Sequence, residues 1–123
     1  MRRRERSNDE GVAAVEFALV LPLLVILLFV IVNGGMLYMD QLHLQSAARD
    51  AARVASVSPS SGCSTANAAL NGNDVGAMQC NVVQDCSQGK AEIRLVANQQ
   101  VSIPLVGART VNINASATFV CIP

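Results

Sequence analysis

The side chain best placed to do chemistry in this sequence is the carboxylate of Glu16. It is the only formally charged residue between residues 11 and 39, and it directly precedes an unbroken apolar run at residues 17–32. A carboxylate at the centre of a membrane helix costs about 2.5–3.5 kcal/mol, and less near the helix end. On the span alone, the plain interpretation is that Glu16 lies at a membrane interface and reaches water, and the residues around it indicate whether it has a further role.

Four cysteines form the second reactive set, and all lie in the second half of the chain: Cys63, Cys80, Cys86 and Cys121. An even number of cysteines in an oxidising compartment predicts disulfides, and four cysteines allow three pairings. Cys63 could pair with Cys80 or Cys86 to close a loop, with Cys121 tying the last strand to it. A metal site is the weaker interpretation, because no C-x-x-C motif occurs and the one histidine, His43, is distant in sequence.

The remaining sequence has no pattern typical of an enzyme or a nucleic-acid-binding protein. His43 has no second histidine or nucleophile near it, and no phosphate-binding loop occurs. Nine Lys and Arg residues balance nine Asp and Glu residues, so no net positive charge is available to hold a polyanion. We therefore predict a non-enzymatic protein with no catalytic residue, no cofactor, no metal and no nucleic-acid partner.

The apolar run predicts a membrane-spanning helix at residues 12–35. Residues 12–32 alone cover about 30 Å at about 1.5 Å per residue, which is the hydrocarbon thickness of a bilayer. A cleaved signal peptide fits less well, because its apolar region is usually about 7–15 residues long and no A-x-A site follows here. Four arginines within the first six residues predict a cytoplasmic N-terminus and an extracytoplasmic C-terminal region.

The chain beyond the apolar run predicts an α+β fold. Small and apolar residues at helical spacing extend the helix through residues 36–57, outside the membrane, until the SPSSG cluster ends it. Residues 58–123, the remainder of the chain, are expected to form a small, loop-rich β domain. Its expected elements are a short helix at residues 65–70 and strands at 91–97, 100–106 and 110–121.

The expected architecture is a long N-terminal helix packed on a small antiparallel sheet, with disulfide-linked loops. Pro104 predicts either an edge position or a break in the middle strand, because proline cannot donate a hydrogen bond to a sheet.

The segment around Glu16 resembles the processing site of type IV pilins. A basic leader at residues 1–11 ends in Gly11, and Glu16 and Phe17 are the fifth and sixth residues of the segment that begins at Val12. This arrangement is similar to that of the Flp-type pilins of tight-adherence (Tad) pili. The run GVAAVEFALVLPLLVILLFVIVNGG, followed by SAARDAAR, is similar to the TadE-like minor pseudopilins in particular. The resemblance covers residues 11–57 and does not extend to the cysteines.

The resemblance implies a pilin-like fold and a part in the assembly or initiation of Tad pili for adherence. A prepilin peptidase is expected to cut between Gly11 and Val12. The new α-amine of Val12, protonated at neutral pH, is then expected to pair with Glu16 of a neighbouring subunit, with Phe17 beside it in the subunit contact.

The partners implied are the prepilin peptidase, the major Flp-type pilin, other minor pseudopilins, the inner-membrane assembly platform and membrane lipid. The expected location is the bacterial inner membrane, crossed once. The alternative is an uncleaved, single-pass envelope protein whose disulfide-linked domain binds a ligand or another protein. In that case the leader persists and Glu16 is dispensable.

Overall fold

The computed structural model describes the backbone of residues 5–71 and 75–122, and the side chains within these ranges from residue 11 onward. The described chain forms a long helix, a short 3-10 turn, a second helix and a three-stranded antiparallel sheet. The predicted α+β class is therefore confirmed. The leader residues Arg2, Arg3 and Arg4 lie outside the described residues.

The first helix, α1, runs without interruption over Glu5–Ala55. Pro22 lies inside it and removes one backbone donor without ending it. Asn33 also stays helical, and its side-chain amide donates a hydrogen bond of 2.8 Å to the backbone carbonyl of Phe29. The helix is therefore continuous through the Asn-Gly-Gly segment, and it begins earlier and ends two residues sooner than residues 12–57, the range expected from sequence.

The breaker cluster ends α1 as predicted and is followed by two short elements. Pro59–Ser61 forms a 3-10 turn, and Gly62–Leu70 forms the second helix, α2. A Cβ atom on Gly62 would lie 3.0 Å from both the Cβ atom of Ala55 and the Cδ1 atom of Ile93. Glycine at this position therefore allows α2 to start directly against the end of α1.

The sheet is a meander in which β2 lies between its two neighbours. β1 covers Ala77–Gln84, β2 covers Lys90–Ile103, and β3 covers Gly107–Val120. β2 pairs with β3 along its whole length, from Lys90 opposite Val120 to Ile103 opposite Gly107. β1 pairs only with the first part of β2, as far as Asn98.

Two expectations about the strands were wrong in detail. The run at 91–97 and the first part of the run at 100–106, as far as Ile103, form one continuous strand, because Asn98 and Gln99 keep the extended conformation and pair with β3. β1 lies in a stretch expected to be loop, where Met78 and Cys80 alternate with Gln79 and Asn81. That alternation is weak because Cys and Met are moderate strand formers and Gly and Asn flank the segment. Pro104 lies in the turn after β2, which is the predicted break.

The core lies between the second half of α1 and the inner face of the sheet. Five alanines of α1 are at most 2% exposed and form its contact surface: Ala47, Ala48, Ala51, Ala52 and Ala55. They face Ile93 and Leu95 of β2, which with Leu44 are the largest fully buried side chains. Small side chains bring the helix axis close to the sheet, so a chain with few aromatic residues still closes a core.

Candidate functional site

The first half of α1 presents a wholly exposed apolar surface. Every residue from 11 to 32 is exposed, and the most apolar 18-residue window of the helix is 0% buried against the rest of the chain. The core helix of a globular domain is buried instead. By length and composition this helix can cross a membrane, which is compatible with a single-pass anchor.

Glu16 is the one ionisable side chain on that surface between Gly11 and Val32. It is exposed, and it forms no hydrogen bond or ion pair with any side chain that the structure describes. Val12 and Glu16 are four residues apart in a continuous helix, so they lie one turn apart on the same face. A positive charge at the backbone nitrogen of Val12 would therefore lie near the Glu16 carboxylate of the same chain. Beside a parallel chain displaced along the helix axis, it would lie near the Glu16 carboxylate of that neighbour.

Gly11 lies inside α1, and a Cβ atom added there would meet nothing within 4 Å. The packing of this chain therefore does not require glycine at position 11. The bond between Gly11 and Val12 is helical in the structure, whereas a protease binds an extended backbone. A protease would reach this bond only after local unwinding of the start of α1, where residues 11–20 are all exposed.

The second half of α1 is tied to the edge of the sheet by glutamine side chains. Gln41 donates a hydrogen bond of 2.8 Å to the backbone carbonyl of Asn114, and Gln45 donates one of 3.1 Å to that of Ser116. β3 is an edge strand, so these carbonyls have no partner strand. The i, i+4 spacing of the two glutamines was visible in the sequence, but their role in capping a sheet edge was not.

One further hydrogen bond joins this half of α1 to the sheet. The amide of Gln99 in β2 donates a hydrogen bond of 2.5 Å to the carboxylate of Asp40. His43 and Tyr38 are exposed. Within residues 11–71 and 75–122, no three His, Cys, Asp or Glu side chains come together in a group that could hold a metal ion.

The four cysteines form two disulfides, Cys63–Cys80 and Cys86–Cys121. The first joins α2 to β1. The second joins the turn between β1 and β2 to the residue that follows β3, and the Sγ atom of Cys86 lies 3.6 Å from the carbonyl oxygen of Ser56. Both bonds therefore lie at the end of the molecule farthest from the apolar half of α1.

The turn between β2 and β3 lies at the opposite end, beside the apolar half of α1. Ile103 and Pro104 line a groove together with Phe29 and Val30 of the helix. The sequence analysis did not identify this contact. The apolar run IPLV at residues 103–106 was a visible signal, but it was assigned to a strand.

This arrangement defines a class: an exposed apolar helix that carries a small, disulfide-linked sheet on its second half. Residues 11–53 match the family model described as TadE-like protein, which confirms the predicted resemblance over this part of the chain. The match includes the exposed apolar half of α1 and most of its buried half, and it excludes the sheet. No curated protein and no solved structure shows significant similarity to the chain.

Proposed function

We propose that this chain is a non-enzymatic minor pseudopilin that is anchored in the bacterial inner membrane and acts in the assembly or initiation of Tad pili. The family match associates it with the Tad pilus system in general terms. The observation that carries the more specific proposal is the division of one continuous helix into two surfaces. Residues 11–32 are all exposed, with Phe29 and Val30 beside the tip of the β2–β3 hairpin, whereas the alanine face from Ala47 to Ala55 is buried under the sheet.

The first surface fits a role in a membrane and then in a helical assembly. An apolar helix surface of this length is stable only against lipid or against other helices. Glu16 adds a requirement that lipid acyl chains do not meet, because a carboxylate in an apolar environment is stabilised by a nearby cation. We propose that the cation is the α-amine of Val12 of a neighbouring pilin-like subunit, generated when a prepilin peptidase cuts after Gly11.

The proposed partners are those that cleavage after Gly11 and pairing at Glu16 require. The prepilin peptidase acts on the bond after Gly11, and the major Flp-type pilin and other minor pseudopilins supply helices for the surface around Glu16 and Phe17. The inner-membrane assembly platform would receive the processed chain. Residues 1–11 are the proposed leader, residues 12–35 the membrane span, residues 36–57 the extracytoplasmic helix and residues 58–123 the extracytoplasmic domain.

Processing is tested by the mass of the membrane-extracted protein in cells with and without their prepilin peptidase. We expect a chain that begins at Val12 only where the peptidase is present. Gly11→Leu should abolish the shortening, because a side chain at this position blocks close approach of the protease to the backbone. The matched control is Gly35→Leu, since a Cβ atom at Gly35 also meets nothing within 4 Å. A Gly11→Leu protein that still loses eleven residues would show that cleavage does not require glycine at position 11, and an unsubstituted protein that loses a different number of residues would place the cleavage site elsewhere.

One observation favours the alternative of an uncleaved envelope protein. The helix continues from Val12 back to Glu5, so the leader and the span form one element in the structure. A full-length chain in both strains would support this alternative and reject the pseudopilin proposal.

A further inference from the structure

The β2–β3 hairpin extends well beyond the rest of the sheet. β1 stops pairing with β2 at Asn98, whereas β2 and β3 remain paired as far as Ile103 and Gly107. The last part of the hairpin is therefore a two-stranded ribbon that runs along α1. The hydrogen bond between Gln99 and Asp40 fixes the ribbon against the helix where it leaves the sheet.

The ribbon ends at the level of the apolar run. Pro104 and Ile103 share a groove with Phe29 and Val30, which belong to the run at residues 17–32. Phe29 is three residues before the end of that run. The helix residues that line this groove extend from Phe29 to Leu37, so the hairpin tip lies at the level of the extracytoplasmic end of the apolar helix surface. A lipid or protein that covers the last turn of the apolar helix surface therefore also contacts the hairpin tip.

The residues of the turn are poorly suited to water. The backbone N–H of Val106 donates a hydrogen bond of 3.2 Å to the carbonyl of Ile103, so residues 103–106 form a tight turn. Leu105 lies at its third position with φ +74°, where glycine or asparagine is the usual residue. The Leu105 side chain is 92% exposed, so no contact within the chain compensates for the strained backbone. Burial of the Leu105 side chain in an apolar environment outside the chain would compensate for it.

The distribution of charge along the ribbon indicates which apolar environment the hairpin tip meets. Residues 95–108 carry no formal charge, and the next residue is the exposed Arg109. A cation just above an uncharged, apolar tip matches the order of phosphates and acyl chains at a membrane surface. The outer edges of the ribbon have unpaired backbone groups, which are too costly to place in the hydrocarbon interior. The tip therefore fits the boundary between headgroups and acyl chains.

From this geometry we propose that the turn at residues 103–106 inserts into the extracytoplasmic face of the phospholipid bilayer, as a second membrane contact beside α1. The proposal rests on the membrane anchor in the proposed function. With two contacts, one at the helix and one at the tip, the sheet is held in one orientation relative to the membrane before assembly.

The chain contains no tryptophan, so a single tryptophan reports on one position. Leu105→Trp is reconstituted in vesicles of phosphatidylethanolamine and phosphatidylglycerol whose acyl chains carry bromine near the glycerol backbone. Ile31→Trp is the control for insertion of the span, because Ile31 is exposed on the last part of the apolar run. Val57→Trp is the control for an exposed position far from the membrane, since Val57 is 79% exposed beyond the end of α1.

We expect the fluorescence of Leu105→Trp to be blue-shifted and quenched by bromine to an extent similar to Ile31→Trp, while Val57→Trp is not quenched. Quenching of Ile31→Trp alone would overturn the hairpin proposal and leave the anchor in place. A blue shift of Leu105→Trp without quenching would show that protein, such as a second copy of the chain, covers the tip, and would also overturn it. No quenching of Ile31→Trp would reject the anchor itself, and the hairpin proposal with it.

Discussion

At the scale of single residues, Glu16 distinguishes this helix from an ordinary membrane anchor. An anchor gains nothing from a carboxylate in its apolar surface, and the described part of the chain supplies no partner for it. An assembly of staggered helices can use the same group to define register, because a displaced subunit leaves both the carboxylate and its cation unpaired. The cost of Glu16 to the monomer is then recovered in the correctly aligned assembly.

We predict that Glu16→Gln and Glu16→Ala keep membrane insertion and lose most pili. Both variants remove the charge, and Gln keeps the size and hydrogen-bonding atoms of the side chain, so failure of both assigns the effect to the charge. Membrane fractionation measures insertion, and counting pili by electron microscopy measures assembly. Glu16→Asp, which keeps the charge on a shorter side chain, is the control that should retain part of the assembly. Normal pilus numbers with Gln at position 16 would contradict the proposed pairing.

The residues of the span could be identified from sequence because their signal is local. Gly11, Glu16 and Phe17 are recognisable from type and spacing along one helix. The sequence left two partners open for Cys63, and the structure has the first of them, Cys80. The choice between Cys80 and Cys86 depends on which strands are neighbours, and β1 had not been predicted. The strained Leu105 was also missed, since a positive φ at a leucine contradicts the residue preference on which turn prediction rests.

At the scale of elements, the contact between α1 and the sheet depends on small side chains. Ala51 and Ala55 lie where α1, α2 and β2 meet, and the carbonyl oxygen of Ala51 is 3.3 Å from the position of a Cβ atom on Gly62. A larger side chain at this point has no space unless the helix moves away from the sheet. The alanines therefore set the distance between the two layers, beyond their high helix propensity.

We predict that Ala51→Leu destabilises the folded part formed by the second half of α1 and the sheet by about 1–3 kcal/mol, through overpacking of a site that is 0% exposed. Ala68→Leu makes the same chemical change at an exposed position of α2 and should have little effect. Thermal unfolding of the detergent-solubilised proteins, followed by circular dichroism, measures both. Equal melting temperatures for the two variants would show that the layers are not closely packed at Ala51.

The helix was predictable as an element because its apolar and small residues keep one period over many turns. The sheet was harder, since the three strands have few large apolar residues and β1 alternates only weakly. The continuity of α1 through Asn33 has a local support, because the Asn33 side chain donates a hydrogen bond to the backbone of its own helix, four residues earlier.

At the scale of the whole molecule, the two disulfides stabilise a domain whose core consists largely of alanine. Their cysteines are 17 and 35 residues apart in sequence. In the chain-entropy description, loops of these lengths contribute about 3 and about 4 kcal/mol, respectively. For so small a core this is a large share of the total stability.

We predict that digestion without reduction links residues 54–73 to 74–84 and residues 85–90 to 110–123. Cleavage after Lys and Arg, combined with cleavage before Asp, separates all four cysteines into these four peptides. Mass spectrometry of the linked peptides identifies the pairs, and a reduced sample is the control. A peptide pair that joins 54–73 to 85–90 would contradict the structure.

We expect each double replacement by serine to lower the melting temperature, with the larger effect for Cys86 and Cys121, because they close the longer loop. Membrane insertion of α1 should not change, since both bonds lie at the far end of the molecule.

The uninterrupted course of α1 has a mechanical consequence. No linker separates the exposed apolar part of the helix from the part that carries the sheet, so the two move as one rod. A displacement of the helix along its axis, such as extraction from the bilayer during filament growth, moves the sheet outward by the same distance. A rotation about that axis turns the sheet through the same angle. The packing of the apolar half among its neighbours therefore determines which face of the sheet points outward.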